Sequence, residues 1–279
     1  MPDASFESPR PLIVGERVEI RPGRFISVTR HVGRAEEDRV LFFCHGSGGN
    51  QDQWREQWRI LAAEGFHLVA LDLLGHGASD KPKRAEAYAW DELVADYEEV
   101  FRRYRGQRNW LIAHSFGTGL SLSTLARLQP GDVQGVLLLG TFLQRGPAKP
   151  GVLSLPTWVL ELLRPWLAKG FRQKAWHAKA DPALIAYEEH LTKSNPLYMF
   201  KALMGQAKWP TLAQLDALTL PVHILAGDSD GLTPAVAGEA LYRRVTHSRF
   251  KVLPECGHQL MLEKPDEVLQ AVRELLVAT

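Results

Sequence analysis

A serine hydroxyl, an imidazole and a carboxylate can together perform acyl transfer. The serine is a poor nucleophile at neutral pH unless a base takes its proton, and the base needs a carboxylate to orient it and stabilise its charge. In this chain of 279 residues, the serine best placed for that role is Ser115, within R-N-W-L-I-A-H-S-F-G-T-G-L from Arg108 to Leu120. A short apolar run there passes through a serine set between small residues and into a helical pattern, which reads as strand, sharp turn and helix. The apex of such a turn is strained, and is tolerated where the residues two positions to either side are small, here Ala113 and Gly117. The hydroxyl is then lifted clear of the sheet, and the N–H of Phe116 sits at a helix N-terminus, where developing negative charge is stabilised. The other groups suited to this chemistry come late in the chain: Asp228 and Asp230 in G-D-S-D, and His258 in P-E-C-G-H.

These residues need a frame that brings distant loops together. Two alternating stretches, Arg17 to Arg21 and Arg24 to Val32, meet at Pro22-Gly23 as a hairpin. Apolar runs at 39–44, 66–71, 108–114, 133–140, 221–226 and 250–253 read as further strands, and between most of them lie patterns of helical period. The clearest is Trp90, Leu93, Val94, Tyr97, Val100, Phe101 and Tyr104. Strands alternating with helices after a hairpin imply an α/β fold with a mostly parallel sheet, helices on both faces, and ligands at the carboxyl ends of the strands. His45-Gly46-Ser47, Ser115, Asp230 and His258 each follow such a strand. From about 143 to 209 the strands give way to helical patterns broken by prolines including Pro150, Pro156, Pro165, Pro182 and Pro196. The expected organisation is therefore a core of 1–142 and 210–279 with an inserted helical cap, or lid, of 143–209.

Composition narrows the function. Apolar residues make up 45% and charged residues 23%, with a net charge of +1, so neither nucleic acid nor a strongly charged partner is indicated. The N-terminal residues Pro2, Asp3, Glu7, Pro9 and Pro11 contain no secretory apolar run, and no uncharged span of about 20 apolar residues occurs, so a cytoplasmic location is expected. With only two cysteines, and Cys44 ending an apolar strand, reduced buried thiols are favoured over a disulfide. His45, His76 and His114 beside Asp72 do not form an H-E-x-x-H or closely spaced ligand pattern, so no metal is expected. His76 and Asp72 are read as pinning the turn after the fourth strand. The glycines at 46, 48 and 49 lack the G-K-[ST] of a phosphate loop.

The H-G-x-G-G loop at His45, the D-x-x-G-x-G-x-S turn at Asp72, the serine turn, the G-x-x-D loop at Gly227 and the late G-H resemble the α/β-hydrolase superfamily in content and order. L-F-F-C-H-G-S-G-G and N-W-L-I-A-H-S-F-G are similar to α/β-hydrolase-domain proteins of unassigned substrate. Ala113 stands where that family usually has glycine. The resemblance implies an α/β-hydrolase fold with an eight-stranded sheet, and a serine hydrolase acting on an apolar ester or related acyl bond without a cofactor. Ser115 would be nucleophile, His258 base and Asp230 the acid, since Asp230 fills the place of the acid in G-x-x-D while Asp228 leaves the sheet at once. The oxyanion would be held by the backbone N–H groups of Phe116 and Ser47, and substrate by His45, Gly46, Trp158 and Trp166. Carbon–carbon bond hydrolysis, cyanohydrin cleavage or a non-catalytic binding role on the same fold are the alternatives.

Histidine titrates near about 6.5 and must be neutral to act as a base, so activity should fall as pH drops through that region. The aromatic residues of 143–209, among them Trp158, Trp166, Phe171, Trp176, Tyr187, Tyr198, Phe200 and Trp209, suit an apolar cover that excludes water. The run 152–167, followed by Lys169, Arg172, Lys174 and Lys179, also has the composition of a helix lying on a membrane. A lid helix buries the same kind of face against the hydrolase core, and that reading is preferred.

Overall fold

The computed structural model describes residues 11–34, 38–144 and 151–279. The proline-rich start up to residue 10 and Pro150 lie outside them. The hairpin at Pro22-Gly23 is built from β1 (Glu16–Arg21) and β2 (Arg24–His31), and β2 runs antiparallel to β4 (His67–Asp72). The remaining strands, β3 (Arg39–Cys44), β5 (Arg108–His114), β6 (Gly135–Leu139), β7 (Val222–Gly227) and β8 (Ser248–Leu253), are parallel with their neighbours. The sheet order is β1-β2-β4-β3-β5-β6-β7-β8, an α/β-hydrolase arrangement of eight mostly parallel strands.

Alternation along the strands divides the core in two. Val40, Phe42 and Cys44 of β3 face one cluster, which includes Leu93, Val94, Tyr97 and Phe101 of α2 (Trp90–Tyr104). Leu41 and Phe43 face the other, with Leu61 of α1 (Arg55–Ala63) and residues of a later C-terminal helix. A period of two in the strands against 3.6 in the helices thus places helices on both faces. Each large apolar side chain buried this way contributes roughly 1.5–3 kcal/mol.

After β5 comes α3 (Phe116–Leu125), buried on nearly all sides, as its uniformly apolar and small residues require. Between β6 and β7 lie α4 (Thr157–Ala175), α5 (Pro182–Thr192), α6 (Leu197–Gln206) and the short α7 (Leu212–Asp216), the last opened by a Thr211 capping box. The chain ends with α8 (Ala235–Arg244), α9 (Leu260–Glu263) and α10 (Pro265–Val277).

Two sequence expectations about α4 need correction. Pro165 lies inside the helix rather than ending it. Its missing N–H leaves only the carbonyl of Glu161 without its usual partner, on an exposed side where water can satisfy it. The apolar face of α4 is also not packed onto the core, because only Leu160 and Ala175 of the helix are buried.

α5, by contrast, is clamped to the core. Tyr187 donates its hydroxyl to Asp52 Oδ2 at 2.7 Å, and Arg55 meets Glu188 at 2.6 Å, with both partners largely buried. Burial pushes the Glu188 carboxyl above its ordinary value, and Arg55 opposes that shift. Removing one partner of a buried pair strands the other charge. Arg55→Met should therefore cost about 3 kcal/mol of stability, read as a lowered denaturant midpoint; an unchanged midpoint would show that the pair is not holding α5.

Candidate active site

Ser115 occupies the turn between β5 and α3 at φ +51° and ψ −119°, a conformation that side chains rarely adopt outside such turns. Its amide donates to Leu139 O at 2.8 Å, and its carbonyl accepts from Thr118 Oγ1 at 2.6 Å, so β6 and α3 fix the turn. Gly117 allows this approach: a Cβ there would sit 2.6 Å from the carbonyl oxygen of His45 and 2.7 Å from that of Cys44. Ala113, where the family usually has glycine, fits fully buried in β5. Gly46 brings the loop after β3 against the turn, since a Cβ on it would lie 2.8 Å from Ser115 Cβ. Among the described residues, the amides of Ser47 and Phe116 have no hydrogen-bond acceptor, and Ser115 Oγ has no partner.

The loops after β7 and β8 bring acid and imidazole together. His258 Nδ1 donates to Asp230 Oδ2 at 2.8 Å, with both side chains buried. Asp230 also accepts from the amides of Leu232 and Thr233 at 2.8 Å each and from Thr233 Oγ1 at 2.5 Å. Burial alone pushes its carboxyl up, but His258 and Thr233 more than offset this and hold it below its ordinary value. Asp230 therefore stays ionised at neutral pH. Asp228 has a different task, accepting from the amides of Glu255 and Cys256 at 2.9 and 3.1 Å and so tying its loop to the one that carries His258. Gly140, at φ +58°, follows β6 without a side chain where Thr233 Oγ1 and the His258 ring come close. The Nε2 side of His258 makes no hydrogen bond among the described residues.

His114 connects the two halves of the site. Its Nε2 donates to the His258 carbonyl at 2.8 Å, and the two rings lie 4.6 Å apart. Burial drives His114 far below the ordinary histidine value and keeps it neutral. His76 and Asp72 hold the glycine loop as well as their own turn: Gly48 N donates to His76 Nε2 at 2.9 Å, and Asp72 Oδ1 accepts from Gln51 N at 2.8 Å.

Several expected substrate contacts are corrected. His45 is wholly buried, with Nδ1 on Gly46 O at 2.7 Å and Nε2 accepting from Leu73 N at 3.0 Å, so it braces two loops and has no nitrogen left for a substrate. Trp158 and Trp166 are exposed, because α4 is anchored only through residues on its other side. The aromatic rings at the site come from Phe200, which packs on Gly48 and His76, and Trp209, which lies over Gly119 and edge-on to Phe116.

Thr233 and Asn195 also make contacts at the candidate site that sequence reasoning missed. Pro234 caps α8, and the hydroxyl of Thr233 before it turns to Asp230; its spacing three residues after the acid was the available signal. Asn195 is buried, with Nδ2 on Gly48 O at 3.0 Å and Oδ1 accepting from Gly77 N at 3.3 Å, contacts between loops that no local pattern announces. Thr233→Val should lower kcat about tenfold with a loss of roughly 1 kcal/mol of stability, because one of several hydrogen bonds to the acid disappears. Steady-state kinetics beside a melting curve checks this, and an unchanged kcat would remove Thr233 from the site.

A family model for "Serine aminopeptidase, S33" (Hydrolase_4) matches residues 35–265. The chain belongs to this α/β-hydrolase family. Its similarity to other α/β-hydrolases extends to Protein ABHD8 of Bos taurus, 32% identical over 249 residues, covering 87% of this chain and 57% of that protein. The chain thus spans a little over half the length of the ABHD8 proteins it matches. The AB hydrolase superfamily protein YisY of Bacillus subtilis is 22% identical, over 88% of this chain and 96% of the relative. Among solved structures, an esterase from Exiguobacterium antarcticum superposes with a TM-score of 0.79 at 21% identity, covering 95% and 98% of the two chains. A thermophilic esterase from Thermogutta terrifontis gives 0.78 at 23% identity, covering 96% and 99%. At these identities the hydrolase structures establish a shared fold.

Proposed function

We propose that the chain is a serine hydrolase that cleaves a carboxylic ester, or a related acyl bond, of an apolar small molecule. The observation that carries this reading is the buried 2.8 Å contact between His258 and an ionised Asp230, beside a serine on a strained strand-to-helix turn. In the proposed reaction Ser115 Oγ attacks the substrate carbonyl carbon while His258 Nε2 takes its proton. Asp230 keeps the proton on Nδ1 and stabilises the imidazolium. The amides of Ser47 and Phe116, without acceptors among the described residues, are the donors for the oxyanion. Collapse expels the alcohol, which receives its proton from His258, and leaves an acyl-serine. Water, deprotonated by the same imidazole, then releases the acid.

The 143–209 region acts in this reading as a cap over the core of 1–142 and 210–279. Its support is the placement of Phe200 and Trp209 against Gly48, His76 and Phe116. Apolar walls exclude water from the nucleophile and favour apolar acyl or alcohol groups. On a panel of p-nitrophenyl esters, kcat/KM should peak at small to medium acyl chains and fall by at least about tenfold for charged analogues, the scale of a few kcal/mol of lost apolar contact and added desolvation. A charged ester as the best substrate would refute the apolar assignment.

A further inference from the structure

We propose that the outer face of α4 is a docking surface for an anionic lipid bilayer. Trp158, Leu162 and Trp166 follow one another at four-residue intervals, which places them in one row along the helix. They are 68%, 73% and 66% exposed. Of the nineteen residues of α4 only Leu160 and Ala175 are buried, so this row is not used by the protein's own core. Lys169 continues the same face one turn later. In α4, Arg164, Lys169, Arg172 and Lys174 stand against the single acid Glu161, in a chain whose net charge is only +1. Arg164 is paired with Glu161 and Arg172 with Glu189. Lys169 and Lys174 are exposed and make no ion pair among the described residues.

Tryptophan and leucine in one row, followed by lysines, match the layers of a membrane interface. Indole rings rest at headgroup depth, leucine reaches the acyl boundary, and lysines meet anionic phosphates and carboxylates. No helix among the described residues is long and apolar enough to cross a membrane, so the contact lies in the plane of the surface. A second copy of the chain matches this face less well, because the α4 it would present carries Glu161 as its one acid and that carboxylate is already paired with Arg164, leaving no anion of that helix for the lysines. The other end of the same helix reaches the candidate site. The carbonyls of Lys174 and Ala175 accept from Gly231 N at 2.9 Å and His258 N at 2.7 Å. A docked α4 would thus hold the loops of Asp230 and His258 close to the lipid, a consequence that rests on the hydrolase reading, whereas the docking itself does not.

The test is co-sedimentation of the full chain with phosphatidylcholine vesicles, with and without about one third phosphatidylserine. Wild type should partition onto the mixed vesicles at least about tenfold more strongly than onto phosphatidylcholine alone, and raised salt should release it. Leu162→Ser combined with Trp166→Ser, and separately Lys169→Glu combined with Lys174→Glu, should each weaken binding at least about tenfold. Melting curves matching wild type establish that these variants fold, and the salt response needs no variant. Wild type remaining in the supernatant with both vesicles would overturn the proposal. So would variants that bind as tightly as wild type, or a dimer in sedimentation equilibrium that dissociates on Leu162→Ser without any vesicle binding.

Discussion

Ser115→Ala and His258→Ala should each abolish ester turnover, with kcat reduced on the order of 10⁴ to 10⁶ and the double variant scarcely worse than either single one. The near-equality follows from the chemistry: a hydroxyl without a base is not activated, and a base without a hydroxyl has no proton to take. The two substitutions should differ in stability. Ser115 Oγ makes no hydrogen bond among the described residues, so its removal leaves the packing intact. Removing the imidazole leaves Asp230 buried without its main partner, at a cost of roughly 1–3 kcal/mol. Kinetics on the best p-nitrophenyl ester, together with melting curves, separates the two effects. Residual activity within about tenfold of wild type in either variant would remove the assigned mechanism.

The second large effect is expected at the acid. Asp230→Asn preserves the shape of the side chain but offers an amide where Nδ1–H needs an acceptor, favouring the wrong tautomer; the comparable change in a serine protease costs about 10⁴ in kcat. Asp230 also anchors the amides of Leu232 and Thr233, which asparagine can still do through its oxygen, so the protein should fold. Asp228→Asn acts through the amides of Glu255 and Cys256, which position the loop before His258, and through the Ser229 hydroxyl. Its loss should be about tenfold. Measuring both variants at pH 8 ranks the two carboxylates, and the reverse order would transfer the role to Asp228.

Much of this arrangement was legible because it is local. The strand of residues 39–44 and the helix of 90–104 have the bounds their periodicity indicates, and the serine turn is announced by the small residues around it. Of the two carboxylates, Asp230, the one farther from the end of the strand, is the one whose side chain meets His258. What escaped depends on contacts between distant segments. Nothing near Asn195 signals that it bridges Gly48 and Gly77, and His45, which reads as a ligand contact, is enclosed by a turn about thirty residues away. Trp158 and Trp166 carry a clear helical period, but a period defines a face without telling what that face meets. The core meets α4 at Leu160 and Ala175, and the tryptophans point to solvent.

The central claim is that Ser115 is an activated nucleophile, and labelling with a fluorophosphonate reads that directly. The phosphonyl group should appear on the peptide containing Ser115, rapidly in wild type and in Asp228→Asn. It should be absent in Ser115→Ala, and in His258→Ala slower by several orders of magnitude, about the loss that removing the base imposes on turnover. Modification of a different serine, or labelling of Ser115 at the same rate without His258, would contradict the account.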